Sequence, residues 1–348
     1  MGNTKIERKK DLSVETLRGA AIIFVVMGHV IGSTSAEGMQ VKDDSFLRHL
    51  YYTFEYLRMP LFTVISGWVY ALHPASLINL KSFFEKKVRR IILPLIYVGA
   101  SYFILQYITP GTNNKGNLMD IWKILVFPYT LYWYLPSLFL VFMVISILDA
   151  YQRISSFTNW LITFGLGMLL VLFREYIIPE SWPNYFSFKG AIYLFPFFLI
   201  GIGIIRFKEV FTNRYLLTIL LIILIVSLTF QQLAWYNIIE YNLSKRSGVG
   251  LLIGLSGTIL LFRLHWKVKW LIWIGSFAYT IYLFHAFGTA GGRIITKAIG
   301  IHFEAAVFTI SLLVGMFLPV IAELVLDRFK LTRMLFLGRS YNKTQKDD

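Results

Sequence analysis

Two polar side chains interrupt an otherwise apolar stretch, ETLRGAAIIFVVMGHV: Arg18 and His29. Eleven steps of a helix turn through about 1100°, roughly 20° past three full turns, so both side chains share one face. They stand about 16 Å apart along the axis. A guanidinium binds anions through a planar fork of donors. A neutral imidazole takes a proton or attacks an acyl carbon. The pair therefore reads as a two-point site, with Arg18 holding an anionic group and His29 doing acid-base or acyl-transfer chemistry deeper in. The same spacing also fits a structural account. Arg18 then snorkels to the interface and pairs with Glu15, and His29 is a hydrogen-bonded packing histidine.

The elements that position these residues are set by composition. Of 348 residues, 56% are hydrophobic and 15% charged, against roughly 25% charged in a soluble protein. That excludes an ordinary soluble enzyme and a disordered chain. Solidly apolar runs such as YLLTILLIILIVSLTF fit helices rather than the alternating strands of a membrane barrel. The expected fold is all-α, a polytopic membrane protein of about ten transmembrane helices. Candidate spans lie near 14–32, 52–72, 91–108, 132–150, 157–173, 190–206, 215–231, 248–263, 270–287 and 304–325. A cytoplasmic N-terminal tail (1–13) precedes one membrane domain (14–325), and a cytoplasmic C-terminal tail (326–348) follows. The first span reads as retained rather than as a cleaved signal peptide.

The net charge is +15, from 34 Lys and Arg against 19 Asp and Glu. With the N-terminus in the cytoplasm, 22 basic residues fall on that side and 11 on the other, Arg18 aside. That bias orients both termini inward and makes the charge a topology signal, not a sign of nucleic acid. The chain has no cysteine, which removes disulfides, thiolate metal sites and a cysteine acyl-enzyme. No metal-ligand spacing is visible either.

The first span resembles that of the membrane acyltransferase-3 family, which carries an Arg, ten residues and then a His. Glu15 stands where that family often has Asp. MPLFTVISGWVYAL at 59–72 is similar to the family's second span, although Arg58 occupies the place of a frequent histidine. FFEKKVRRIILPLIYV at 83–98 resembles the basic loop and start of the third span. YWYLPSLFLV, FPFFLIGIGI, IGSFAYTIYLFHAF and AELVLDRF resemble later segments in the family's order.

The resemblance implies an integral membrane O-acyltransferase in the bacterial cytoplasmic (inner) membrane. It implies a cytoplasmic acyl-CoA donor, commonly acetyl-CoA, and no metal cofactor. The acceptor it implies is a hydroxyl of a cell-envelope carbohydrate or its lipid-linked glycan precursor. Cations near the cytoplasmic surface suit the donor's phosphates, which singles out Arg18, Lys87 and Arg90 as coenzyme A contacts. The cluster around Lys87 also determines topology. The distance from Arg18 to His29 is comparable to an extended pantetheine arm. His29 is then the catalytic residue, as base or as acyl carrier. Ser66, Trp133 and Tyr134 are candidate donors to an oxyanion or contacts to substrate, and His285 is a second candidate toward the outer end. Trp122, Trp182 and Trp235 fit sugar stacking or an interfacial aromatic belt. The competing reading is a glycan transporter or flippase without acyl transfer.

Overall fold

The computed structural model describes residues 11–113, 116–241 and 243–341. The basic N-terminal residues Lys5, Arg8, Lys9 and Lys10 and the last seven residues lie outside them. Among the described residues all regular structure is helical. Six stretches are long and apolar enough to cross a bilayer: Leu12–Ile31, Leu80–Ile108, Leu118–Ala150, Tyr185–Arg206, Arg214–Trp235 and Glu304–Leu326. The α-helices of eight or more residues are α1 (Leu12–Ile31), α2 (Phe46–Leu72), α3 (Leu80–Lys87), α4 (Leu93–Ile108), α5 (Tyr134–Ala150), α6 (Phe157–Leu172) and α7 (Phe188–Arg206). They continue as α8 (Arg214–Trp235), α9 (Gly248–Leu264), α10 (Lys269–Ser276), α11 (Ala278–Ala298), α12 (Glu304–Leu326) and α13 (Lys330–Leu337).

α1 is the centre of the bundle. Asp11 caps it by accepting from the backbone N–H groups of Ser13 and Val14, and Glu15 in the first turn complements the helix dipole. It packs against α2, α10, α11 and α12. Gly19 lets the Leu271 carbonyl come against α1, and Gly275 does the same for the Glu15 carbonyl. The helices thus meet backbone to backbone, as small residues allow in membranes. The contrast with α8 shows the layering. In the apolar window of α1, 72% of residues are buried, against 11% in α8, so α8 presents its aliphatic surface outward.

Contacts between helix ends define two faces. On the face where α1 begins, here the proximal face, Thr16 accepts from the Val268 backbone N–H. Arg206 forks onto Asp149 at 2.7 and 2.6 Å, and Tyr70 donates to the same carboxylate. On the opposite, distal face, Arg293 and Asn113 donate to the Gly38 carbonyl. There too His49 meets Gln232 at 2.6 Å. The segment after α12 is tied into the body, because Arg339 pairs with Glu323 and Asp327 and α13 packs on α4.

Two features depart from the sequence reading. The apolar run 270–287 is not one helix: α10 stops at Ser276, and α11 begins at Ala278 and runs on to Ala298. Hydropathy is blind to this break, because the residues on both sides are apolar. α9 and α10 together also form a strongly bent pair, at 118°. The second departure is a π-helical turn, Val88–Ile92, joining α3 to α4. Pro94 has no N–H for the Arg90 carbonyl four residues back, and that carbonyl instead accepts the Tyr279 hydroxyl from α11.

α2 and α7 pack through a reciprocal pair of glycines. Gly67 faces the Phe198 carbonyl and Gly201 faces the Val64 carbonyl. Gly201→Leu is expected to cost at least about 1–3 kcal/mol through overpacking, read as a lower melting temperature in detergent. Gly165→Leu on α6, where a side chain meets open space, is expected to leave it unchanged.

Candidate active site

His29 lies 17 residues along α1 from Leu12, about 26 Å by helical rise, close to the distal end. Its ring is 5.1 Å from that of His285 on α11, tilted by 43°. His29 is exposed although α1 is central in the bundle. Among the described residues neither ring nitrogen has a hydrogen-bond partner.

His285 is the complement. It is fully buried, and its Nδ1 lies 2.8 Å from the Tyr282 carbonyl and 3.1 Å from the Ile281 carbonyl. A carbonyl can only accept, so Nδ1 carries the proton and Nε2 is the acceptor. That Nε2 is buried without a partner. The sequence thus supplied one histidine with both nitrogens free and a second with its tautomer fixed by its own helix.

Around the pair, α11 is bound to the turn before α5. Tyr282 donates to the Leu131 carbonyl at 2.7 Å, and Tyr132 donates back to the Leu283 carbonyl at 2.9 Å. Tyr134 stands edge-on to Tyr282 at 5.6 Å. Its buried hydroxyl has no hydrogen-bond partner and lies beside the hydroxyls of Thr63 and Ser66. Those two already donate to carbonyls of α2. Trp133 lines a cavity of about 630 Å³ on the distal side, together with Glu55, Tyr56, Lys189, Tyr193 and Lys245. The structure therefore brings His29, His285, Trp133, Tyr134 and Ser66 into one half of the bundle. Trp122, Trp182 and Trp235 do not line that cavity; Trp235 stacks on His49.

The expected donor contacts lie at the other end. Arg18 donates to Glu15 at 2.6 Å and keeps 31% of its side chain exposed. Lys87 is folded inward, its Nζ 3.4 Å from the Phe142 ring centroid and 5.1 Å from that of Phe83. Arg90 is exposed. Among the described residues no bond links Arg18 to Lys87 or Arg90.

Sequence reasoning passed over Arg58. It is 7% exposed, and its guanidinium lies against Gly28, where any Cβ would overlap Nη1. It sits 4.3 Å from the Tyr51 ring centroid. Arg58 and Lys245 both lie within electrostatic range of His29. The available signal was a charged residue inside an apolar span, which is costly and so usually functional.

Compared with known proteins, residues 11–324 match a family described as an acyltransferase domain. That is nearly the whole chain, and it includes both histidines, the distal cavity and the proximal cations. The chain belongs to this acyltransferase family. Searches of curated proteins and of solved structures gave no match. With its apolar helices, the chain is a multi-pass membrane acyltransferase, and the family favours acyl transfer over the flippase reading.

Acyl transfer passes through a tetrahedral oxyanion that needs pre-placed donors. The buried Tyr134 hydroxyl makes no hydrogen bond by geometry, and its ring packs on Tyr282, which in turn packs on His285. Leaving such a group unsatisfied costs roughly 1–3 kcal/mol. Tyr134→Phe is therefore expected to melt at the same temperature or higher, and to lose about 10²-fold or more in transfer rate, measured as acyl-group turnover in detergent.

Proposed function

We propose that this acyltransferase moves an acyl group, acetyl in the simplest case, from cytoplasmic acyl-CoA to a hydroxyl of a cell-envelope carbohydrate or its lipid-linked precursor. The setting is a bacterial cytoplasmic membrane, with about ten crossings, both termini inside and the distal cavity outward. The observation that carries the reading is the histidine pair: an open, unbonded His29 beside a buried His285 whose Nε2 can only accept.

In this scheme the coenzyme's phosphates rest near Arg18 and Arg90 at the proximal face. The pantetheine arm runs along α1, and the thioester reaches His29. The acceptor occupies the cavity walled by Trp133 and Tyr193; an aromatic wall suits the apolar face of a sugar. A ring nitrogen of His29 takes the proton of the acceptor hydroxyl. The hydroxyl oxygen attacks the thioester carbonyl, and Tyr134 donates to the developing oxyanion. The carbon–sulfur bond then breaks, and the thiolate leaves with the proton held on His29. His285, through its bare Nε2, accepts from the His29 ring as it takes up charge, and so holds its orientation.

The test is purified protein with radiolabelled acetyl-CoA and a panel of envelope glycans. His29→Ala is expected to abolish transfer while leaving coenzyme A affinity near wild type; normal turnover in that variant would remove His29 from the chemistry. His285→Phe keeps the bulk and loses the acceptor nitrogen. It is expected to lower the rate about 10²-fold or more without changing coenzyme A affinity. Arg18→Ala and Arg90→Ala are expected to raise the dissociation constant for coenzyme A about 10-fold each, by loss of a charge-assisted phosphate contact.

A further inference from the structure

The minority of cations on the distal face is not explained by topology, because the positive-inside bias places charge at the other end. Several of them gather at one place. The distal cavity is lined by Arg174, Lys189, Lys245 and Arg246, with Glu55 as the only acid among the described residues of its wall. Lys245 is neutralised by Glu55 at 3.1 Å and Arg246 by Glu175 at 2.9 Å. Among the described residues Arg174 and Lys189 form no ion pair, although Glu175 and Glu180 lie within electrostatic range of Arg174; Lys189 reaches the carbonyls of Pro179 and Glu180.

Arg58 stands one helical turn beyond Glu55 on α2 and does not itself line the cavity. It is buried, its Nε has no hydrogen-bond partner, and no ion pair reaches it among the described residues. Its neighbours are the face of Tyr51, the bare backbone of Gly28 and, one residue on, His29. It is also within electrostatic range of Tyr193 in the cavity wall. A guanidinium buried without a counter-charge is costly. The cost is recovered when a ligand brings the anion. An oxyanion role for Arg58 alone would leave the cationic rim without a purpose, and the donor's phosphates belong to the opposite face.

We propose that the acceptor is anionic: it carries a carboxylate or phosphate that docks on Arg58, is drawn in by Arg174 and Lys189, and sets a nearby hydroxyl against His29. This rests on reading the distal cavity as the acceptor site. Charge then selects the acceptor, because a neutral sugar leaves Arg58 buried and unpaired.

Equilibrium binding to the purified full-length protein tests this without any turnover. Three probes are compared: a glucuronate-containing oligosaccharide, its carboxyl-reduced neutral counterpart, and a sugar 1-phosphate. At least one acidic probe is expected to bind 10-fold or more tightly than the neutral one, and which acid wins distinguishes carboxylate from phosphate. The preference is expected to shrink as salt rises. Arg58→Gln is expected to erase it. The double variant Arg174→Gln, Lys189→Gln at the accessible rim is expected to weaken acidic probes several-fold with an unchanged melting temperature. Equal binding of acidic and neutral probes, binding of none, or an intact preference in the double variant and in a folded Arg58→Gln would overturn the proposal. Acyl transfer to neutral glycans alone would sink it and leave the acyltransferase reading standing. Charge-selective binding without thioester turnover would do the reverse.

Discussion

A buried, unpaired guanidinium next to an open imidazole is the constraint around which the bundle is arranged. Removing the counter-charge from a buried ion costs about 3–5 kcal/mol, and hydrocarbon offers nothing to offset it. Arg58 and His29 can exist only where helices wall them off from lipid and enclose a polar space. That is why α1, which carries His29, sits at the centre with α2, α10, α11 and α12 around it. It also bears on the glycines. Gly28 makes room for the guanidinium, while Gly19 and Gly275 let α1 and α10 close without intervening side chains. Helices that carry no such burden, α8 above all, are left at the periphery.

The site has two ends, and the backbone connects them. Pro94 takes a donor away from the Arg90 carbonyl, and Tyr279 of α11 supplies one. Six residues later the same helix presents His285. The turn that carries the proximal cations is therefore fixed to the helix that carries the second histidine. A link of this kind keeps the spacing between the proximal cations and the histidine pair constant. At the distal end, the tyrosine exchange between α11 and the 130–133 turn holds His285 and Trp133 in register.

Some of this was legible in the residues. Arg18 and His29 stand out because charge and imidazole are rare in apolar runs, and the helical period puts them on one face. The family's segments are recognisable in order, and the match over residues 11–324 agrees with them. Arg58 is equally visible as a charge in a span, but in the family pattern it shows only as a departure, not as a group needing a partner. The run 270–287 reads as one helix because apolarity persists through Phe277, where the chain breaks. Trp122, Trp182 and Trp235 carried the same sequence signal as Trp133. Only the turn before α5 brings a tryptophan into the cavity wall.

Sequence by itself determined the solvent, the all-helical fold class and the two polar positions, Arg18 and His29, that interrupt the first span. These follow from side-chain hydropathy and from helical period, which are properties of neighbours along the chain. The tertiary structure decided the rest. It set His285 beside His29 across 256 positions, fixed the His285 tautomer, buried Arg58 with no ion pair among the described residues, and gathered cations from three separate segments around one cavity. Those are relations between residues remote in sequence. They depend on how closely helices approach and where they break, and in this chain glycine contacts, a π turn and a proline-freed carbonyl set both.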